Sequence, residues 1–347
     1  MDDTRRGFLR KWFGANAVRF HAVLGHGCCV LSLLLCVTVQ AQQQMADPDF
    51  KTAVERPAYS RKGPTVAIDE AHDNFHTAGG QYKPLADLLT SDGYRMIAST
   101  RKFEAGTLTG IDVLVIANAR NLAALMARDL SSPTFTEHEC DVVRDWVHSG
   151  GSLLLVADHA PFGNAAEILA KRFGVTMGKG WVFDRESTGG ITTQLTFSRE
   201  NGLLGSHPIL RGRTASEEVK SIRSFTGQSL GVPVGATTLM RLGAGAREAP
   251  TPADLDSEEA AVRSGGASGG MIGAHSSPVI GRAQGIAMTF GKGRLVVLGE
   301  AALLSAQIVR FAEGNQQREM KVGMNVPGND DRQFALNVLH WLSGLLK

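Results

Sequence analysis

Cysteine is scarce in this chain, and its placement excludes an internal disulfide. Four are present, but Cys28, Cys29 and Cys36 sit in the first 41 residues, leaving Cys140 alone in the body. One thiol cannot staple a fold. Net charge is also lacking. Residues 1–41 hold five Arg/Lys and two Asp/Glu, so the remaining 31 basic and 32 acidic residues almost cancel. A near-neutral body gives no electrostatic ground for a nucleic-acid partner. Internal repeats are missing, as is any Gly-x-Ser-x-Gly nucleophile pattern. The only long apolar run is "VLGHGCCVLSLLLCVTV", residues 23–39. It is shorter than the roughly 20 residues of a comfortable membrane span.

What the amino terminus does contain reads as targeting. Arg5-Arg6 precede Phe8-Leu9 in "TRRGFLRK", the apolar run follows, and "VQA" ends at Ala41 as a small-residue cleavage site. The pattern resembles a twin-arginine export signal. If it is not cleaved, the same segment is an N-terminal anchor, and this is the only membrane attachment the sequence offers. Either way the body is expected outside the cytoplasm, periplasmic or extracellular. Residues 42–62 are polar and aperiodic, and read as a linker.

From residue 63 the periodicity becomes informative. "GPTVAID" (63–69), "YRMIAS" (94–99), "DVLVIAN" (112–118) and "SLLLVAD" (152–158) are short apolar runs with little alternation, as expected of strands covered on both faces. Helical patterns separate them. Residues 80–91 put Tyr82, Leu85, Leu88 and Leu89 on one face. Thr136 and Glu139 have the spacing of a capping box before the stripe Cys140, Val143, Trp146 and Val147. That stripe places Cys140 in the core. Asn164 with Glu167 is expected to cap the next helix. The second half holds candidate strands at "TTQLTFS", "EVKSIRSF" and "TTLMRL", and a hairpin at 285–300 turning on Gly291-Lys292-Gly293. Residues 243–284 are rich in Gly, Ala, Ser and acids and are expected to form a flexible insertion. A terminal helix carries Phe334, Val338, Trp341, Leu342 and Leu345. The expected fold is α/β: one domain, 63–347, a three-layer sandwich with a mostly parallel sheet and helices on both faces.

The segments "VAIDEAHDNFH", "DVLVIAN", "WVHSGGSLLLVAD", "SHPIL", "GKGRLVVLGE" and "FALNVLHWL" together resemble the class I glutamine amidotransferase-like superfamily, especially its exported branches of unknown function. The resemblance spans about residues 64–347 and implies a flavodoxin-like sheet. It also exposes a departure. The superfamily's amidotransferases carry a Cys on a strand-to-helix elbow, with a downstream His and Glu. The comparable turn here, "VADHAPFGN", has no Cys. Glutamine hydrolysis by a thiolate is therefore not expected.

Open α/β sheets gather ligands beyond the carboxyl ends of their strands. The residues delivered there are Asp69, Glu70, His72, Asp73, Asn74 and His76 after the first strand, Asn118 after the third, Asp158 and His159 after the fourth, and Glu300 after the hairpin. Ser305 follows in "LLSAQIV", which reads as helical. Carboxylates with imidazoles are ligand types for a divalent metal such as zinc. Asp69, His72 and His76 form the candidate metal set, and Asp158 with His159 the candidate acid–base pair. Asn74, Asn118 and Glu300 are candidates for contacting a ligand. A bland reading stands beside this one: residues just past strands often only cap helices and pair with loop amides. Two functions follow. One is a non-catalytic domain binding a small molecule or protein at this rim. The other is a metal-assisted hydrolase using the same residues.

Overall fold

The computed structural model describes residues 43–185, 190–263, 273–313 and 316–347; the expected export signal lies outside them. The chain opens with β1 (Gln43–Ala46). It continues through β2 (Thr65–Asp69), α1 (Lys83–Ser91), β3 (Arg95–Ser99), β4 (Val113–Ala117), α2 (Leu122–Met126), α3 (Glu137–His148), β5 (Ser152–Val156) and α4 (Phe162–Lys171). The second half holds β6 (Trp181–Arg185), β7 (Ile191–Thr192), β8 (Gln194–Ser198), α5 (Pro208–Arg211), β9 (Ser221–Phe225), β10 (Thr237–Arg241) and β11 (Arg247–Ala249). It ends with α6 (Pro252–Arg263), β12 (Ser277–Pro278), β13 (Ala283–Phe290), β14 (Gly293–Leu298), β15 (Ala306–Glu313), β16 (Gln316–Gly323) and α7 (Asp331–Leu342).

The central sheet has the order β10-β13-β14-β5-β4-β2-β3. Strands β3, β2, β4, β5 and β14 are parallel, while β13 runs antiparallel between β14 and β10. Numbered along the chain, the parallel five read 2-1-3-4-5, the flavodoxin-like order. The pleat explains why their sequences are apolar throughout. Val66, Ile68, Val113, Val115, Leu154 and Val156 point to one face, where Leu85, Leu88 and Leu89 of α1 and Phe334 and Val338 of α7 cover them. Ala67, Leu114, Ile116, Leu153 and Leu155 point to the other, against Cys140, Val143 and Val147 of α3 and Ala166 and Leu169 of α4. The molecule is a three-layer α/β sandwich.

Local signals held where they were self-contained. Thr136 accepts from Glu139 N and Glu139 caps Thr136 in return, the reciprocal box that starts α3. Four expectations need correction. The segment read as a linker is docked: β1 pairs with β15, and Phe50, Val54 and Tyr59 pack on the core. Residues 247–263, inside the segment expected to be flexible, form β11 and α6, and Leu255 is buried with Trp181, Phe183 and Ala249. Asn164 does not cap α4; the helix already starts at Phe162 behind Pro161, and no side chain caps it. The stretch 303–309, "LLSAQIV", read as helical, runs from residue 306 into β15, whose partners β1 and β16 lie far along the chain or just after it.

Candidate functional site

The tips of β2, β4, β5 and β14 bring the sequence-selected residues to one end of the sheet, but mostly onto each other. Asp69 and His72 are fully buried, with His72 Nδ1 2.8 Å from Asp69 Oδ2. The other ring nitrogen, Nε2, lies 3.0 Å from Glu139 Oε1. Phe103 and Phe135 flank the imidazole, with ring centroids at 4.7 and 4.5 Å. Both ring nitrogens are engaged by carboxylates, which leaves neither open to a metal. Asn74 joins the same knot, its amide nitrogen 3.1 Å from Asp69 Oδ2 in the orientation that satisfies both ends of the amide.

His76 is buried away from this knot. Its ring lies tilted against Tyr82 with centroids 4.6 Å apart, Nε2 lies 3.4 Å from the Gln307 amide, and Nδ1 has no partner among the described residues. Burial, reinforced by the Arg120 charge, pushes its pKa down to about 3, so the ring is neutral. The expected Asp69–His72–His76 metal set therefore does not assemble. Among the described residues no three His, Cys, Asp or Glu side chains are arranged to hold a metal ion.

Asp158 is the hub of a second cluster. Asn118 Nδ2 donates to Asp158 Oδ2 at 2.7 Å, and Asp158 N donates to Asn118 Oδ1 at 2.9 Å. Ala301 N donates to Asp158 Oδ1 at 2.7 Å. One carboxylate thus staples the tips of β4, β5 and β14. Asn118 takes a left-handed φ of 50°, a conformation Asn tolerates better than most residues. Glu300 is 2% exposed and accepts from Ala302 N and Leu303 N, both at 2.8 Å, starting the short helical turn at Ala302–Leu304. Burial raises the Asp158 pKa to about 6. Burial, then the Asp158 charge, holds Glu300 well above the usual carboxylate range. Tyr82 donates to Ala301 O at 3.1 Å over the same pair.

His159 does not face Asp158 as an acid–base partner. It stacks on Trp181 at 4.4 Å and 22°, with Nδ1 3.0 Å from Ala160 O. Burial lowers its pKa to about 4. Ser305 is buried at the start of β15 and donates to Ala302 O at 2.8 Å, which commits its proton to the main chain. His207 is a turn residue as expected, its Nδ1 capping Ile209 N at 3.2 Å. Cys140 is core, and burial pushes its thiol up to about 12.

Several contributors escaped sequence reading. Glu139 pairs with His72 from 67 residues away while it also caps α3. Gln228 accepts from Lys179 N at 2.8 Å and donates to Ala157 O at 2.7 Å and Asp158 O at 3.0 Å, clamping the turn after β5. No local pattern marks it. Beside Glu300 lies a shallow solvent-open cleft walled by β8, β9 and β16 and including Gln194, Arg223, Phe225, Met320 and Lys321.

No family model matches the chain, and no curated protein matches it. Solved structures do. The chain is similar to the mmIFT52 N-terminal domain, at 13% identity and TM-score 0.51, over 81% of this chain and 97% of that one. A ThuA-like protein from Bacteroides uniformis aligns at 12% identity and TM-score 0.39, covering 84% and 95% of the two chains. PurLQS from Thermotoga maritima aligns at 10% identity and TM-score 0.35, covering 80% and 99%. The first likeness is one of fold. The other two are looser, and no site residue is carried over from any of them.

Proposed function

We propose that this chain is an exported, amidotransferase-like α/β domain that binds a ligand at the carboxyl end of its sheet without catalysing a reaction. The supporting observation is the state of Asp158. It stands in the turn after β5, where the superfamily presents its nucleophile, and both its oxygens are committed to Asn118 and Ala301. A group that ties three strand tips together is not free to attack a substrate. The reading of Asp158–His159 as an acid–base pair lacks the mutual contact such a pair needs. Export is supported by Arg5-Arg6, the apolar run 23–39 and the small residues ending at Ala41.

The decisive test offers the purified body, with and without added zinc, chromogenic carboxylic ester, amide and phosphoester substrates. No turnover above buffer is expected. Hydrolysis by the native chain, especially if zinc restores it after chelation, overturns the reading in favour of a metal-assisted hydrolase. Export is tested separately by replacing Arg5 and Arg6 with Lys: the precursor should accumulate in the cytoplasm. Unimpaired export of that variant refutes a twin-arginine route.

A further inference from the structure

The amino end of the sheet, opposite the Asp158 rim, holds a corner with several donors and no acid. β14 begins at Gly293, and Arg294 lies in register with Ser152, the first residue of β5. The Arg294 guanidinium carbon sits 5.2 Å from the centroid of the Trp341 ring on α7. Its Nη1 donates to Trp341 O and, at 2.7 Å, to Leu346 O, so it caps carbonyls at the end of α7. The cap occupies one nitrogen of three. Among the described residues Nε and Nη2 have no protein acceptor, and the guanidinium forms no ion pair. Burial alone lowers its pKa, and no acid works against that shift.

Two further donors come from α5. His207 precedes it and meets the same indole edge-on, with ring centroids 4.9 Å apart. Its Nδ1 accepts from Ile209 N, so the proton of the neutral ring is on Nε2, which has no acceptor among the described residues. Burial, then the charges of Arg211 and Arg294, lowers the His207 pKa to about 4, which keeps the ring neutral and puts both cations in its vicinity. Arg211 ends α5, is exposed, and its guanidinium has no partner among the described residues. Arg213, two residues on, differs: Glu217 accepts from its Nε at 3.0 Å. The Nε–Nη2 edge of an arginine is a fork for two oxygens, and a guanidinium partly desolvated against an indole gains most from an anion that completes it. A carboxylate presents only two oxygens. The donors here come from three side chains, which suits a tetrahedral group, and a phosphate charge of about −1.5 to −2 at pH 7 matches two guanidinium charges.

We infer that this corner binds a phosphate group, free or as a monoester, on the Nε–Nη2 edge of Arg294, the Arg211 guanidinium and His207 Nε2–H. A surface site for one oxyanion needs no enclosed cavity. It lies at the other end of the sheet from the rim, and stands or falls independently of the binding function proposed there.

Calorimetry at fixed ionic strength tests the assignment, with sodium phosphate, glycerol 3-phosphate and sodium acetate as probes. The native chain should bind at least one phosphate saturably, and acetate at least about tenfold more weakly. Tighter inorganic phosphate identifies the free ion, tighter glycerol 3-phosphate a monoester, and equal affinity recognition of the head group alone. Arg294→Gln should lose at least about tenfold in affinity. Arg211→Gln, whose side chain takes no part in the fold's hydrogen bonds, should lose at least about fivefold, and decides the matter alone if the Arg294 variant does not fold. Arg213→Gln removes a cation that Glu217 already pairs, and should bind as the native chain does. Absence of saturable binding by either phosphate overturns the inference, as does acetate binding of equal strength or native affinity in Arg211→Gln. An equal loss in Arg213→Gln overturns it too, because diffuse surface charge then accounts for the binding.

Discussion

His72 offers the sharpest separation between a structural polar knot and a ligand site. In His72→Ala the ring between Phe103 and Phe135 disappears, and Asp69 Oδ2 and Glu139 Oε1 both lose it as a partner. Truncating a large buried side chain costs about 2–5 kcal/mol through lost packing and the cavity left behind. Each buried acceptor deprived of its partner adds roughly 1–3 kcal/mol. Both carboxylates keep other donors, Ala71 N on Asp69 and Thr136 on Glu139, which holds the second term near its lower limit. The sum is about 4–7 kcal/mol, a large share of the roughly 5–15 kcal/mol that stabilises an ordinary domain. Urea unfolding followed by circular dichroism reads it directly. The midpoint should fall sharply at unchanged slope. A loss below about 1 kcal/mol refutes the structural account. Metal content, measured on native chain and variant alike, should be negligible in both.

Other perturbations follow from the same geometry. Asp331→Asn mimics the protonated acid that burial favours. Because the native pKa, about 8, lies above the unfolded value, the folded state holds a proton that the unfolded state releases, and native stability falls as pH rises from about 4 to 8. The variant should therefore gain on the native chain by up to about 1.4 kcal/mol per pH unit across that window; a flat difference in urea midpoints refutes it. Asn118→Ala should cost about 2–4 kcal/mol, since it loses both bonds to Asp158 and puts a Cβ-branch-free but still L side chain at φ 50°. Asn118→Gly, freed of that strain, should be roughly 1 kcal/mol less destabilised, and the reverse order in thermal denaturation counts against the strain argument. Cys140 should resist a thiol reagent in the native protein and react at once in urea, because it is buried with its pKa near 12. Rapid labelling of folded protein contradicts its place in the core.

The sequence displayed the fold wherever structure was locally encoded. Strands β2, β4 and β5 are five-residue strands, buried along their whole length, with unbroken apolar stretches, and a run without alternation is how such a strand looks in one dimension. The Thr136–Glu139 box was visible because its partners are three residues apart. Strand β15 was not visible, because "AQIVRFAE" becomes a strand through β16 and through β1, more than 260 residues earlier. The site failed for the same reason. His72 and Asp69 look like metal ligands until Glu139 is brought from a helix 67 residues on to fill the second ring nitrogen. Nothing near Glu139 advertises that task, since its local role as a cap already accounts for it.

The carboxyl end of a parallel sheet poses one physical problem with two uses. Strands finish there with unpaired amides, and buried amides need acceptors. Side chains placed to meet that need are the same acids and amides that could meet a substrate. In this chain Asp158, Glu300 and Asp69 are spent on main-chain amides and side-chain partners from neighbouring tips. Pairing stabilises the edge and at the same time removes the lone pairs that chemistry would use. Binding capacity is therefore best sought where polar groups remain uncommitted, and not where they are most numerous.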